Sequence, residues 1–301
     1  MAPPNTAQTG AAPTTAERRA LQQLKTPGGR FAVIAADHGQ PLIDMLEGLN
    51  LSSAPEEQRA FKSDLVDTVG RDASAVLLDP DVSLPQIVDQ EVLARDVGLI
   101  VRIEADGCEV RDGLRESQMI SDLGAQGARA LGAVAAKIMV FLRADREDLD
   151  GYTAQMVRAA LEDCRQADLL CVMELMTYRL EDETPEEFTA LKEDLVVDGA
   201  VLLQECGSKV LKLEYPGSAA GCQRVTDALD VPWAVLSAGV DHDAFCVQLR
   251  DAMDGGADGF IAGRSLWKEA VGRPSEERRR FLGEVGRRRM EQMLGIVDST
   301  G

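Results

Sequence analysis

Apolar, β-branched runs recur along this chain, separated by longer stretches in which hydrophobic positions return every three or four residues. The first pattern suits a strand buried on both faces and the second an amphipathic helix, so their alternation predicts βα units built on a parallel sheet. Eight runs qualify: Phe31–Asp37, Ala75–Asp79, Leu99–Glu104, Ala135–Leu142, Leu169–Leu175, Lys209–Glu214, Trp233–Ala238 and Gly259–Gly263. Helical pattern fills segments such as Ser83–Arg95, Ser117–Leu131, Leu149–Gln166, Pro185–Gln204, Gly221–Leu229 and Asp243–Asp254, and a further apolar helix is expected over Phe281–Ile296. Ahead of the first strand, Thr15–Lys25 carries Leu21 and Leu24 on one face and stops at Pro27-Gly28-Gly29. The expected fold is α/β: a single (β/α)8 TIM barrel with that short N-terminal helix capping one end. An open doubly wound sheet would want a Gly-x-Gly-x-x-Gly turn after an early strand, and Ala35-Ala36-Asp37-His38-Gly39 is not one.

Composition fits one domain. The 301 residues, 45% of them hydrophobic, suffice for an undivided barrel over residues 17–299, after what is expected to be a disordered leader (residues 1–16), rich in Ala, Pro, Thr and Gly without apolar period. No apolar stretch approaches bilayer length and no secretory pattern opens the chain, so a cytoplasmic protein without a membrane partner is expected. Cys108, Cys164, Cys171, Cys206, Cys222 and Cys246 are scattered, which reads as reduced thiols. The net charge of −19 argues against nucleic acid, and it requires any anionic substrate to be met by locally placed donors. His38 and His242 are the two histidines, too few for a zinc centre, and no metal site is expected. The acidic stretch Glu181-Asp182-Glu183, with Glu186 and Glu187, reads as a solvated helix start.

In such barrels chemistry sits at the C-terminal ends of the strands, so polar residues late in apolar runs matter most. In Val210-Leu211-Lys212-Leu213-Glu214, alternation puts Lys212 and Glu214 on one face and the leucines on the other. If the leucines face the helices, Lys212 points into the barrel; the same parity turns Lys137 and Glu174 inward. A lysine that is desolvated, or close to a second cation, shifts towards the neutral amine that attacks carbonyls, and Lys137 is placed to be that cation. The chain otherwise favours arginine, which cannot do this chemistry. The competing reading is a buried ionic network of both lysines with Glu174 and Glu214. Asp37 ends the first strand; it suits a substrate hydroxyl or a proton relay, but an N-cap for the next turn is the simpler reading. His38 beside it is read as a hydrogen-bonded structural residue. Small residues at Ser237-Ala238-Gly239 and Ala262-Gly263, with Arg264 as a bidentate donor, point to a phosphate held by the last two strand loops.

Taken together and in order, Asp37, Lys137, Glu174, Val210-Leu211-Lys212-Leu213-Glu214, Leu236-Ser237-Ala238-Gly239-Val240 and Ala262-Gly263-Arg264-Ser265-Leu266-Trp267 resemble the class I aldolases of the tagatose 1,6-bisphosphate and sulfofructose-phosphate branch. The likeness runs from about Gly29 to Gly272, and the compact layout is more similar to the sulfofructose-phosphate enzymes. It implies a lyase without a diffusible cofactor, with Lys212 as Schiff-base lysine and Glu174 as the proton-transfer carboxylate. Asp37 and Lys137 would orient the substrate and tune the amine; Ser237, Gly239, Gly263 and Arg264 would hold phosphate. The substrate would be a ketose phosphate of the 6-deoxy-6-sulfofructose 1-phosphate, tagatose or fructose 1,6-bisphosphate type, cleaved to dihydroxyacetone phosphate and an aldehyde; a homo-oligomer is consistent with the resemblance. One departure stands out: the family commonly follows its strand-one Asp with Gln-Arg, which reads the far anionic group, whereas His38-Gly39 is similar to the archaeal-type fructose-bisphosphate aldolases. The alternatives are an isomerase or acyl-transfer relative that forms no imine, and a non-catalytic sugar-phosphate sensor.

Overall fold

The computed structural model describes residues 12–299. Each predicted run overlaps a strand: β1 (Phe31–Ala35), β2 (Ala75–Leu78), β3 (Gly98–Arg102), β6 (Ala135–Phe141), β7 (Leu170–Met176), β8 (Leu211–Leu213), β9 (Trp233–Leu236) and β10 (Gly259–Ala262). They close into a parallel barrel in the order β1-β10-β9-β8-β7-β6-β3-β2, and a hairpin, β4 (Glu109–Arg111) and β5 (Leu114–Glu116), is inserted after β3. The helices are α1 (Thr15–Leu24), α2 (Gln40–Gly48), α3 (Pro55–Val69), α4 (Gln86–Asp89), α5 (Gly124–Ala130), α6 (Tyr152–Gln166), α7 (Pro185–Glu205), α8 (Ala219–Ala228), α9 (His242–Asp254), α10 (Arg264–Trp267), α11 (Ser275–Phe281) and α12 (Arg287–Asp298). No helix among the described residues is long and apolar enough to cross a membrane.

The core has two layers with different composition. Between sheet and helices lies the larger one, including Ile138, Val140, Met173, Leu175, Leu211 and Leu213. Inside the barrel, Phe31, Val33, Ala35, Ile100, Ala135, Leu170, Val172 and Val210 fill the N-terminal half, closed from below by Ala20 and Leu24 of α1. A capping box between Thr14 and Glu17 starts α1, and Glu17 also accepts from Lys209 at 2.7 Å, fixing the plug to the chain before β8. Side chains alternate along a strand, so the next inward residues above this apolar layer are Asp37, Arg102, Lys137, Glu174 and Lys212. The register sets them level: Glu174 lies opposite Lys212, and Arg102 opposite Lys137. The apolar half stabilises the barrel by burial, and the charged half crowns it.

Several boundaries differ from the sequence expectation. Thr15 and Ala16 already belong to α1, and most of the expected leader lies outside the described residues. The helix expected over Ser117–Leu131 shrinks to α5. Ala105 N donates to the Gln118 carbonyl at 2.8 Å and Ile120 N to that of Ile103 at 3.0 Å, so this chain runs extended to Ile120 and then turns through Ser121, Asp122 and Leu123 into α5, which opens at Gly124 with φ +56°. The helix expected over Ser83–Arg95 reduces to α4, because Asp79 ties down the turn before it through Val82 N and Ser83 N, and Glu91 at φ +54° ends it. Phe281–Ile296 is helical throughout, as expected, widened to a π-helix over Leu282–Gly286 where α11 passes into α12. The six cysteines are unpaired.

Candidate active site

A cavity of about 580 Å³ opens at the C-terminal end of the barrel, lined by Asp37, Glu104, Lys137, Glu174, Lys212, Ser237, Gly239, Gly263 and Arg264 among others. A larger recess of about 1180 Å³ lies at the N-terminal strand ends beside α1, but it holds none of these residues. The structure therefore brings every sequence-derived candidate to one place.

Lys137 is the hub. Its Nζ lies 2.8 Å from Asp37 Oδ2 and 3.0 Å from Glu174 Oε2, and it also contacts Glu104 Oε1. An ammonium has three N–H bonds, and three carboxylates take them. Burial opposes its charge, but Asp37, Glu104 and Glu174 outweigh burial and hold the amine well above its ordinary range. Lys137 thus stays a cation. Glu174 uses its other oxygen, Oε1, on Lys212 Nζ at 2.9 Å, so one carboxylate bridges the two lysines. Burial would raise Glu174 and Asp37, yet the lysines dominate and hold both below the usual carboxylate range. Glu104 goes the other way: burial, with Asp37 added, overcomes Lys137 and Arg102 and pushes it up to about 7. Its Oε2 is buried without a hydrogen-bond partner among the described residues.

Two readings made from sequence change here. Asp37 does not cap the next helix: Gly39 occupies the N-cap of α2 without a side-chain bond, and the carboxylate is drawn to Lys137 instead. Glu214 does not join the lysine pair. β8 ends at Leu213, and beyond it Glu214 turns to Lys192 at 2.5 Å and accepts from Thr177 N at 2.7 Å and Thr177 Oγ1 at 2.8 Å. Glu104 is the site residue that the sequence reading missed, although it ends its apolar run; its inward parity with Ile100 and Arg102 was the available signal.

His38 also departs from expectation. Its Nδ1 is buried and lacks a hydrogen bond among the described residues, and the ring is held edge-on by Trp267 at 5.1 Å. Burial, with Arg264 and Lys212 nearby, lowers it to about 3, so it forms a neutral wall. Gly263 must be glycine for this wall to stand, since a Cβ there would meet His38 Cε1 at 2.6 Å and the Ala35 carbonyl at 3.0 Å. On the far side, Ala238 (φ +45°) and Gly239 (φ +78°) form a left-handed turn, with Ser237 Oγ accepting from Gly263 N at 3.4 Å. The Arg264 guanidinium lies along Gly239, where a Cβ would meet Cζ at 3.0 Å. Its Nε has no partner among the described residues, and burial lowers its pKa. An unpaired guanidinium beside a small-residue turn is a place for an oxyanion.

The family model for DeoC/LacD family aldolases matches residues 52–269. Among curated relatives, a tagatose 1,6-diphosphate aldolase of Enterococcus faecalis is 24% identical, covering 95% of each chain. One of Staphylococcus epidermidis is 25% identical over 93% of this chain and 95% of its own. Among solved structures, a Schiff-base-forming fructose-1,6-bisphosphate aldolase superposes with a TM-score of 0.61 at 20% identity, covering 91% of this chain and 98% of that one. A fructose-bisphosphate aldolase from Slackia heliotrinireducens gives 0.65 at 14% identity, covering 98% and 95%. These structures share the barrel fold.

Proposed function

Because the chain belongs to the DeoC/LacD aldolase family, and so is a lyase, we propose that it is a class I enzyme that cleaves a ketose phosphate through an imine on Lys212. The observation that carries this reading is the bridge from Lys212 through Glu174 to Lys137 on the cavity floor. It gives the attacking amine a carboxylate to take its proton and a permanent cation to keep that carboxylate ionised.

The substrate phosphate docks against the Ser237–Gly239 turn and Arg264, which sets the ketone over Lys212. The neutral amine adds to C2, and Glu174 returns the amine's proton to the carbinolamine hydroxyl, which leaves as water to form a protonated imine and a carboxylate ready for the next step. Glu174 takes the proton from the C4 hydroxyl, the C3–C4 bond breaks, and its electron pair moves into the imine to give an enamine. The aldehyde departs. Protonation at C3 and hydrolysis then return the free amine and release dihydroxyacetone phosphate. Asp37, held beside Lys137, orients the substrate hydroxyls. The 1-phosphates of tagatose, fructose and 6-deoxy-6-sulfofructose, bearing a second anionic group at C6 in each case, are the candidate substrates.

A coupled assay of triose-phosphate release from tagatose and fructose 1,6-bisphosphates tests the class. Turnover that persists in excess chelator is expected; turnover lost to chelation and restored by a divalent metal would contradict the imine route.

A further inference from the structure

We propose that Arg115, on the inserted hairpin, reads an anionic group on the aldehyde half of the substrate; this rests on the aldolase reading above and deepens it. The barrel order places β6 across from β10 and β3 across from β9. A substrate whose phosphate lies at the loops after β9 and β10 therefore extends, past Lys212, towards the β3 and β6 side. The β4–β5 hairpin stands on that side, and Arg115 lines the cavity from it.

Three observations separate Arg115 from an ordinary surface arginine. Its guanidinium carbon lies 5.3 Å from the Phe141 ring centroid and 5.0 Å from that of Tyr178, and these two rings themselves meet edge to face at 6.1 Å. Its backbone N–H donates to Tyr178 Oη at 2.9 Å, fixing the hairpin to the chain after β7. It has no carboxylate partner among the described residues, although the protein carries a net charge of −19. Arg102, which lines the same cavity, is by contrast held by Asp106. A guanidinium stacked on aromatic faces keeps its edge donors free and pre-aimed, which suits bidentate recognition of a phosphate or sulfonate. The hairpin is an addition to the barrel, the kind of element on which such folds vary specificity.

The test runs the reaction in the condensation direction, with dihydroxyacetone phosphate as fixed donor. Acceptors are glyceraldehyde 3-phosphate, 3-sulfolactaldehyde and uncharged glyceraldehyde. The wild type should prefer one or both anionic aldehydes over glyceraldehyde by roughly 10- to 100-fold in kcat/KM, the range expected for one charge-assisted bidentate contact. The two anionic arms tell phosphate from sulfonate. Arg115→Gln should collapse that preference to within about threefold, and Arg115→Lys, which keeps the charge without the planar fork, should fall between. An unchanged ratio in Arg115→Gln, an equal loss for charged and uncharged acceptors, or no preference in the wild type would each overturn the proposal. Borohydride trapping of the donor on Lys212, run on the same samples, reports the aldolase reading separately: trapping with an unchanged ratio removes the role of Arg115 alone. Should Arg115→Gln not fold, the ratio in Arg115→Lys decides.

Discussion

Lys137 and Arg143, on and just beyond the same strand, are both buried cations ringed by carboxylates, but their surroundings differ in a way that separates chemistry from architecture. Arg143 is completely buried. It donates to Asp145 at 2.8 and 2.9 Å, to Glu183 at 2.7 and 2.5 Å, and to the Tyr178 carbonyl at 3.1 Å, which uses all the N–H bonds of a guanidinium. That network is closed. Around Lys137 the network is open: Glu104 keeps an unmet oxygen, Glu174 leads on to Lys212, and the cavity borders the whole group. A buried ion pair is thus poor evidence of a site. Unmet bonding capacity next to a cavity that an amine also lines is better evidence.

Removing the cation or amine from each cluster in turn should have opposite consequences. Lys212→Met should lower turnover by more than about 10³-fold while leaving the thermal midpoint nearly unmoved, since Glu174 still pairs with Lys137. Retained turnover would make the open cluster as structural as the closed one. Glu174→Gln should lower kcat by about 10²- to 10³-fold, measured by steady-state triose-phosphate release. Arg143→Met should show the opposite pattern. It leaves Glu183 without its cation and Asp145 with Arg146 alone at 3.4 Å, and should cost about 3 kcal/mol in urea unfolding, with kcat per folded molecule changed little.

The smallest effect concerns pH. Glu104 sits at about 7 in the folded protein against an ordinary value of 4.5, so the folded state holds a proton that the unfolded chain has released. Its stabilising contribution is fully present below 4.5 and is lost as pH rises to about 7. Asp37 and Glu174, held low, act in the opposite sense and lose stability as pH falls below the usual carboxylate range. Glu104→Gln should therefore flatten the decline in stability on the neutral side and leave the acid side as it was; urea midpoints across the pH range would show an unaltered slope if Glu104 ionised normally.

Much of this was legible because a barrel strand announces itself twice, by a β-branched run and by a polar residue at the inward parity near its end. Lys137, Glu174 and Lys212 were placed that way. Past the end of a strand parity held at Asp37 and Glu104 but failed at Glu214, because the chain turns after Leu213 and the side chain leaves for Lys192. The β4–β5 hairpin left no apolar pattern, since Glu109, Val110 and Arg111 all point to solvent. Glu183 belonged to an acidic stretch expected to be solvated, and its pairing with Arg143 depends on loops brought together only by the closed sheet. Local chemistry could be read from the chain, but cross-loop partners could not.

The imine on Lys212 can be caught directly by incubating the protein with dihydroxyacetone phosphate, reducing with borohydride and locating the added mass by peptide mass spectrometry. One adduct is expected, on Lys212, absent from Lys212→Met. An unlabelled Lys212 in protein that still binds the ligand, or an adduct on Lys137 in its place, would contradict an imine on that residue.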